Sequence, residues 1–273
     1  MAPLVLSAFF FMFLEYAHGI NVAAFNIQHF GDTKVNEVGR DIVRVLAHYD
    51  IVLIQEVRDV DHSSLNMLKD LLGSTVWDYV SSNPVGRTTY KEQYVFFYKK
   101  AVVKIQGQFQ YDDSARDVFE REPFAVDIQY NSPTRGKNVN VVLLGIHTQP
   151  EKAFVELEAL PTAMTAAKSH FPNAAGVIAM GDFNADCNYV SDTQKASLAI
   201  FSQHARYRSL IPDTADTTTS TSTNCAYDRI VIEGNSDIVA DSARVYRYDT
   251  DLGIAFDRTA EISDHYPVDF KLH

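Results

Sequence analysis

Gly176-Val-Ile-Ala-Met180-Gly-Asp-Phe-Asn184 is an apolar run that ends in a carboxylate and an amide. A strand that is hydrophobic at every position is buried on both faces, so this stretch predicts a sheet covered by other layers on each side. Similar runs recur at Val22–Ile27, Ile51–Ile54, Tyr94–Tyr98, Phe124–Ile128, Val139–Ile146, Arg229–Ile232 and Pro267–Leu272. Between them, Ile42, Val43, Leu46 and His48 line up as a helix, as do Leu65, Leu68, Lys69 and Leu72. Phe154, Leu157, Leu160 and Met164 predict a third helix, which Pro161 is expected to kink or split. Strands outnumber helices, so the expected fold class is α/β with two central sheets covered outside by helices, rather than one parallel sheet.

The 273-residue chain is 46% hydrophobic, enough for one large domain or two small ones. Leu4–Leu14 is almost wholly apolar, and Ala17-His18-Gly19 follows with small residues at the spacing a signal peptidase prefers. Residues 1–19 therefore read as a secretory signal peptide; the run is too short for a membrane span, and no later stretch approaches the necessary length. Secretion makes a disulfide between Cys187 and Cys225 the default. The net charge of −11 argues against a basic nucleic-acid-binding surface. A nucleic-acid substrate stays open if divalent ions supply positive charge locally. Asp213–Asn224, rich in Thr and Ser, reads either as a solvated loop or as an oxygen-lined calcium site around Asp216.

Several apolar runs leave a chemically capable residue at their C-terminal edge. Asn26 follows Val22–Phe25, Gln55, Glu56 and Arg58 follow Ile51–Ile54, His147 the run ending at Ile146, and Asp182 and Asn184 the run ending at Met180. Asp249, after Val245–Tyr248, reads as part of an exposed loop. Any one of these is more often a turn former or surface charge than a catalyst, but four separate strand ends point to a shared cleft. Of nine histidines, only His147 and His265 flank an apolar strand beside other polar groups. From the residues alone, two cleft imidazoles forming an acid–base pair and two ordinary core histidines fit equally well.

Longer blocks decide the matter. Ala23-Ala-Phe-Asn-Ile27, Ile51-Val-Leu-Ile-Gln-Glu-Val-Arg-Asp59, Tyr90-Lys-Glu92, Met180-Gly-Asp-Phe-Asn-Ala-Asp-Cys187, Ser222-Thr-Asn-Cys-Ala-Tyr-Asp-Arg229 and Ile262-Ser-Asp-His-Tyr-Pro267 resemble the deoxyribonuclease I family, in order, across the chain from residue 21 onward. The resemblance implies a four-layer α/β sandwich, two central mixed β-sheets flanked by helices, in a single catalytic domain over residues 20–273. It implies a secreted, monomeric endonuclease that cuts double-stranded DNA with little sequence preference and leaves 5′-phosphates.

By the same resemblance, Glu56 binds a catalytic Mg²⁺, with Asn26, Asp182, Asn184 and Asp264 around it. His147 is paired with Glu92 and His265 with Asp228, one imidazole activating water while the other protonates the leaving oxygen. Arg58 and Tyr90 enter the minor groove, which carries a degenerate pattern and so explains weak selectivity. Arg121 and Tyr189 contact phosphates, with Tyr227 beside Asp228 and Asn26 near the DNA. Asp216 marks one structural Ca²⁺ site; Asp113, Asp117, Phe119 and Glu122 mark a second, although Asp112–Asp117 is shorter than the family pattern and lacks its small disulfide. Gln28 stands where relatives commonly carry Arg. Ser81 and Phe124 depart from the actin-binding surface of some relatives, so weak or no actin binding is expected.

Two other functions compete. A phosphodiesterase of the same superfamily acting on abasic DNA or a phospholipid would not need Arg58 and Tyr90. A catalytically silent binding protein would be expected to lack a member of the Glu92–His147 or Asp228–His265 pairs, and all four residues are present.

Overall fold

The computed structural model describes residues 19–234 and 237–273, so the expected signal peptide up to His18 lies outside the described residues. Along the chain the strands are β1 (Ile20–Phe30), β2 (Ile51–Val57), β3 (Trp77–Ser81), β4 (Gln93–Lys99), β5 (Lys104–Gln110) and β6 (Phe124–Ser132). They continue as β7 (Lys137–Gly145), β8 (Gly176–Asp182), β9 (Tyr207–Ser209), β10 (Asp228–Gly234), β11 (Arg244–Val245) and β12 (Val268–Leu272). They form two six-stranded mixed sheets, in the orders β11-β12-β1-β2-β4-β3 and β5-β6-β7-β8-β10-β9. Each is centred on one parallel pair, β1 with β2 and β7 with β8, and its other pairings are antiparallel.

Helix α1 (Asp32–Leu46) is the crossover between β1 and β2; α2 (Ser63–Leu72) packs beside it, and α3 (Ala153–His170) connects β7 to β8. Successive strand residues point to opposite faces. Thus Val22, Ala24, Ile51 and Leu53 meet Val126, Leu143, Ile178 and Met180 between the sheets. Ala23, Phe25, Val52 and Ile54 face Val38, Ile42, Leu65 and Leu68. Val142, Leu144, Val177 and Ala179 face Leu157, Leu160 and Met164. Helix, sheet, sheet and helix make four layers, so the central strands have no polar face.

Pro161 neither splits α3 nor ends it. A proline inside a helix forfeits a hydrogen bond at a cost of ~3 kcal/mol. Leu157, Leu160, Ala163, Met164 and Ala167 are fully buried along the same helix, and each larger side chain contributes about 1.5–3 kcal/mol. Packing therefore outweighs the break. The Thr-rich stretch is also less solvated than its composition suggests: Thr217, Thr218 and Thr219 are buried. Their backbone groups pair with Cys225, Asp264, His265 and Tyr266. Cys187 and Cys225 form a disulfide with 5.9 Å between Cα atoms and 38 residues of separation, a loop length that corresponds to ~4 kcal/mol on the chain-entropy model.

Candidate active site

The parallel strands β1, β2, β7 and β8 all end at one edge of the sandwich. An antiparallel neighbour begins where its partner ends, so β4, β10 and β12 start at that same edge. Asp182, the last residue of β8, is the register partner of Asp228, the first of β10. Fully buried Gln55 fastens the two sheets together there. Its Nε2 donates to the Ile146 carbonyl (2.7 Å) and its Oε1 accepts from the Asp182 N–H (3.0 Å). This close approach requires Gly181. At φ +133°, a Cβ there would lie 2.4 Å from the Ile146 carbonyl oxygen and 2.7 Å from the Gln55 amide nitrogen.

The sheets thereby bring His147 and His265 to either side of one carboxylate oxygen. Nε2 of each imidazole lies 3.6 Å from Asp182 Oδ2. Behind each ring a second carboxylate holds Nδ1: Glu92 Oε2 at 3.0 Å from His147 and Asp228 Oδ2 at 2.7 Å from His265. All five side chains are buried. Burial opposes charge on His265, but the Asp228 and Asp182 carboxylates outweigh it and hold its pKa well above the ordinary histidine value. At Glu92, burial pushes the carboxyl up, while the hydrogen bond to His147 and the positive charges of His147, Arg121 and Arg58 bring it below its usual range.

A second group of oxygens faces the same point. Asn26 Nδ2 donates to Glu56 Oε1 (3.1 Å) and to Asp182 Oδ2 (3.3 Å), and its buried Oδ1 has no hydrogen-bond partner. Gln28 Nε2 binds Asp264 Oδ2 at 2.9 Å, and Ser263 Oγ donates to the Asn26 carbonyl at 2.6 Å. The carboxylates of Glu56, Asp182 and Asp264, gathered on Asn26 and Gln28, and the unpartnered Asn26 Oδ1 are hard oxygens of the kind that suit a divalent cation such as Mg²⁺. Asp182, Asp228 and His265 also place ligand atoms within 4.8 Å of one another. There, however, His265 Nδ1 and Asp228 Oδ2 are already bonded to each other, so that group reads as an acid–base relay. Glu56 and Asn184 adopt left-handed backbone (φ +59° and +47°), strain that concentrates where side chains are aimed for function. A register irregularity between Ile54 and Val57 accompanies the turn at Glu56. Asn184 Nδ2 is fixed on the Thr148 carbonyl at 3.1 Å.

Around this centre, the Arg58 guanidinium lies 4.1 Å over the ring of Tyr90, which is 43% exposed. Tyr189 packs against Tyr227 with ring centroids 5.4 Å apart and planes tilted by 39°, and Tyr227 lies 6.3 Å from the His265 ring. Arg121 points inward: its side chain is 11% exposed, with Nε donating to the His147 carbonyl (3.0 Å) and Nη2 to that of Thr148 (2.9 Å). Asp216 Oδ1 accepts from the backbone and hydroxyl of Thr218. Asp113 Oδ2 accepts from the Phe119 N–H (2.7 Å), whereas Asp117, 70% exposed, pairs with Arg87 at 3.0 Å; Glu122 lines the same pocket as both acids. Asp249, read as an exposed loop residue, instead lies in a short helix at Tyr248–Asp251 with its side chain 20% exposed, and pairs with Arg247 at 3.1 Å. Sequence reasoning passed over Tyr94, Thr217 and Glu156. Tyr94 OH accepts from the His147 N–H at 2.8 Å, and Thr217 Oγ1 accepts from the N–H of Asp228 at 3.2 Å. For Tyr94 and Glu156 the only sequence signal is a polar group set in an apolar run, and Thr217 is one of many hydroxyls in a stretch that reads as a solvated loop.

Glu156 is fully buried at the start of α3, and burial pushes its carboxyl up to about 7 from 4.5, against hydrogen bonds from Glu120 and Gln149 that lower it. The folded state therefore binds this proton more tightly than the unfolded chain. The associated stability is complete below pH 4.5 and is lost as pH rises through about 7. Relative to the wild type, Glu156→Gln should gain roughly 3 kcal/mol of unfolding free energy between pH 4 and pH 8. Urea unfolding at both pH values measures this, and parallel stability curves would contradict it.

A family model, Endonuclease/Exonuclease/phosphatase family, matches residues 23–265. Deoxyribonuclease-1 of Oryctolagus cuniculus is 40% identical over 271 residues, covering 95% of this chain and 94% of that protein. Deoxyribonuclease-1 of Gallus gallus is 40% identical over 273 residues, with 96% and 95% covered. Among solved structures, a humanized TDP2 of D. rerio superposes with a TM-score of 0.64 at 14% identity, over 92% of this chain and 97% of that one. That similarity establishes the shared fold.

Proposed function

The chain belongs to the endonuclease/exonuclease/phosphatase family and is a deoxyribonuclease of the deoxyribonuclease I type, and from this we propose a secreted, divalent-metal-dependent endonuclease that hydrolyses double-stranded DNA to 5′-phosphate and 3′-hydroxyl ends. The observation that carries this reading is the symmetric placement of two carboxylate-backed imidazoles about Asp182 Oδ2.

In this mechanism, with a scissile phosphate between the rings, one imidazole takes the proton of the attacking water and the other returns a proton to the departing 3′-oxygen. Glu92 and Asp228 fix the tautomer of each ring and stabilise it when charged. Asp182 and Asn184 orient the nucleophile and the phosphate. Glu56, with Asn26, Asp182 and Asp264, would hold the catalytic Mg²⁺, which would neutralise charge on the phosphate oxygens. The site needs such a cation, because Glu56, Glu92, Asp182, Asp228 and Asp264 otherwise present negative charge to a polyanion. Arg58 stacked on Tyr90 is the proposed minor-groove element, with Tyr189 and Tyr227 flanking the phosphate backbone. Asp216 with the Thr loop, and Asp113, Asp117 and Glu122 with the Phe119 carbonyl, are the proposed Ca²⁺ sites.

We read residues 1–19 as the signal peptide and 20–273 as one catalytic domain acting as a monomer. The Cys187–Cys225 disulfide suits an oxidising compartment, and no helix among the described residues is long and apolar enough to cross a membrane. Weak actin binding now rests on Ser81, because Phe124 is buried between the sheets and offers no bulk to a partner.

Nicking of supercoiled plasmid tests the reading. Cleavage is expected with Mg²⁺ and Ca²⁺, none with EDTA, and no inhibition by equimolar monomeric actin. DNA ligase alone should reseal the nicks, since it requires a 5′-phosphate beside a 3′-hydroxyl. Metal-independent cleavage, or nicks that ligase cannot close, would overturn it.

A further inference from the structure

We propose that Glu156 is a positioning residue for His147, acting through the segment that carries Arg121. One carboxylate oxygen ties two parts of the chain together: Glu156 Oε1 accepts from the N–H of Glu120 (3.2 Å) and from that of Gln149 (3.3 Å). These positions immediately precede Arg121 and closely follow His147. Between them, Arg121 donates to the carbonyls of His147 and Thr148, and its Nε also lies 3.6 Å from Glu92 Oε2. Tyr94 closes the ring, accepting from the His147 N–H and donating to the Arg121 carbonyl (3.3 Å). Arg121 thus ties down the backbone that carries the imidazole and pairs with the carboxylate behind the ring, while Glu156 ties the residue before Arg121 to the segment after His147.

Packing alone does not account for an acid at this position. Glu156 Oε2 is buried with no hydrogen-bond partner, which costs stability that an apolar side chain of similar size would not incur. The inward guanidinium fork also separates this role from a phosphate contact. A lost phosphate contact weakens DNA binding and flattens its salt dependence. A misplaced catalytic group slows turnover, by up to about 100-fold for a shift near 1 Å.

The proposal rests on His147 being catalytic, so kcat, KM and the salt dependence of KM are measured for Glu156→Ala, Glu156→Gln, Arg121→Lys and His147→Ala. Glu156→Ala should lower kcat about 10- to 100-fold with KM and salt slope unchanged. Glu156→Gln should restore kcat to within about threefold, since its amide oxygen accepts the same two N–H groups. Arg121→Lys should behave like Glu156→Ala, because an ammonium cannot reproduce the fork. A folded Glu156→Ala with unchanged kcat, or with its loss confined to KM and salt slope, overturns the proposal. If Glu156→Ala does not fold, Arg121→Lys decides by the same split. An active His147→Ala would sink the two-histidine reading and this proposal with it. An inactive His147→Ala beside a fully active Glu156→Ala would sink this proposal alone.

Discussion

His147→Ala and His265→Ala should each lower kcat for plasmid nicking by on the order of 10²–10⁴-fold, the range expected when a general acid or base is removed. The symmetry of the site makes both effects large. Each Nε2 stands 3.6 Å from the same Asp182 oxygen, and each Nδ1 is anchored to its own buried carboxylate. Neither ring can reach both the attacking water and the leaving oxygen, which lie on opposite sides of an in-line displacement, so neither can substitute for the other. The double variant should lose much less than the product of the single losses, because groups acting in one step are not additive. Steady-state kinetics on all three variants checks this. A single variant that keeps more than about a tenth of the wild-type kcat would remove that histidine from the chemistry.

Glu56→Gln should leave the fold intact but weaken Mg²⁺ binding at least tenfold and lower kcat/KM by on the order of 10³-fold. The substitution removes the charge and keeps one acceptor oxygen for the two donors that now bind Oε1 and Oε2, Asn26 Nδ2 and the His29 N–H. Calorimetric titration with Mg²⁺ separates this effect from the histidine variants, which should retain near-normal metal affinity. Unchanged affinity in Glu56→Gln would place the cation elsewhere, with the Asp182, Asp228 and His265 group as the next candidate.

Eight of the apolar runs read from sequence became strands, Val245–Tyr248 runs instead from the end of β11 into a short helix, and β3, β5, β9 and β11 were not read as strands. These four are the outer strands of the two sheets. A central strand is buried on both faces and shows as continuous hydrophobicity, but an edge strand alternates or breaks. Lys104–Gln110, for instance, alternates between exposed and half-buried positions. Pro161 does not split its helix, because packing along α3 overrides the local rule. The proposed catalytic constellation was partly legible: Asn26, Glu56, His147, Asp182 and Asn184 stand at the ends of apolar strands, whereas the pairing of Glu92 with His147 and of Asp228 with His265 was implied only by the resemblance. Tyr94 and Glu156, which brace it, were not, since one polar residue in a buried segment looks the same whether it fastens a histidine or fills space, and Thr217 was lost among the hydroxyls of the Thr-rich stretch. Arg121 is the clearest case: resemblance alone directed it toward phosphate, while its hydrogen bonds run inward to His147 and Thr148.

The central claim is that the two imidazoles divide proton donation and proton removal at one phosphodiester. DNA carrying a bridging 3′-sulfur at a single site tests it most directly. A thiolate, with a pKa near 8.5, departs without help from an acid. The two-imidazole mechanism predicts that one alanine variant, and only one, recovers near-wild-type cleavage at that linkage, while the other stays inactive for want of a base. Recovery of both variants, or of neither, would contradict it.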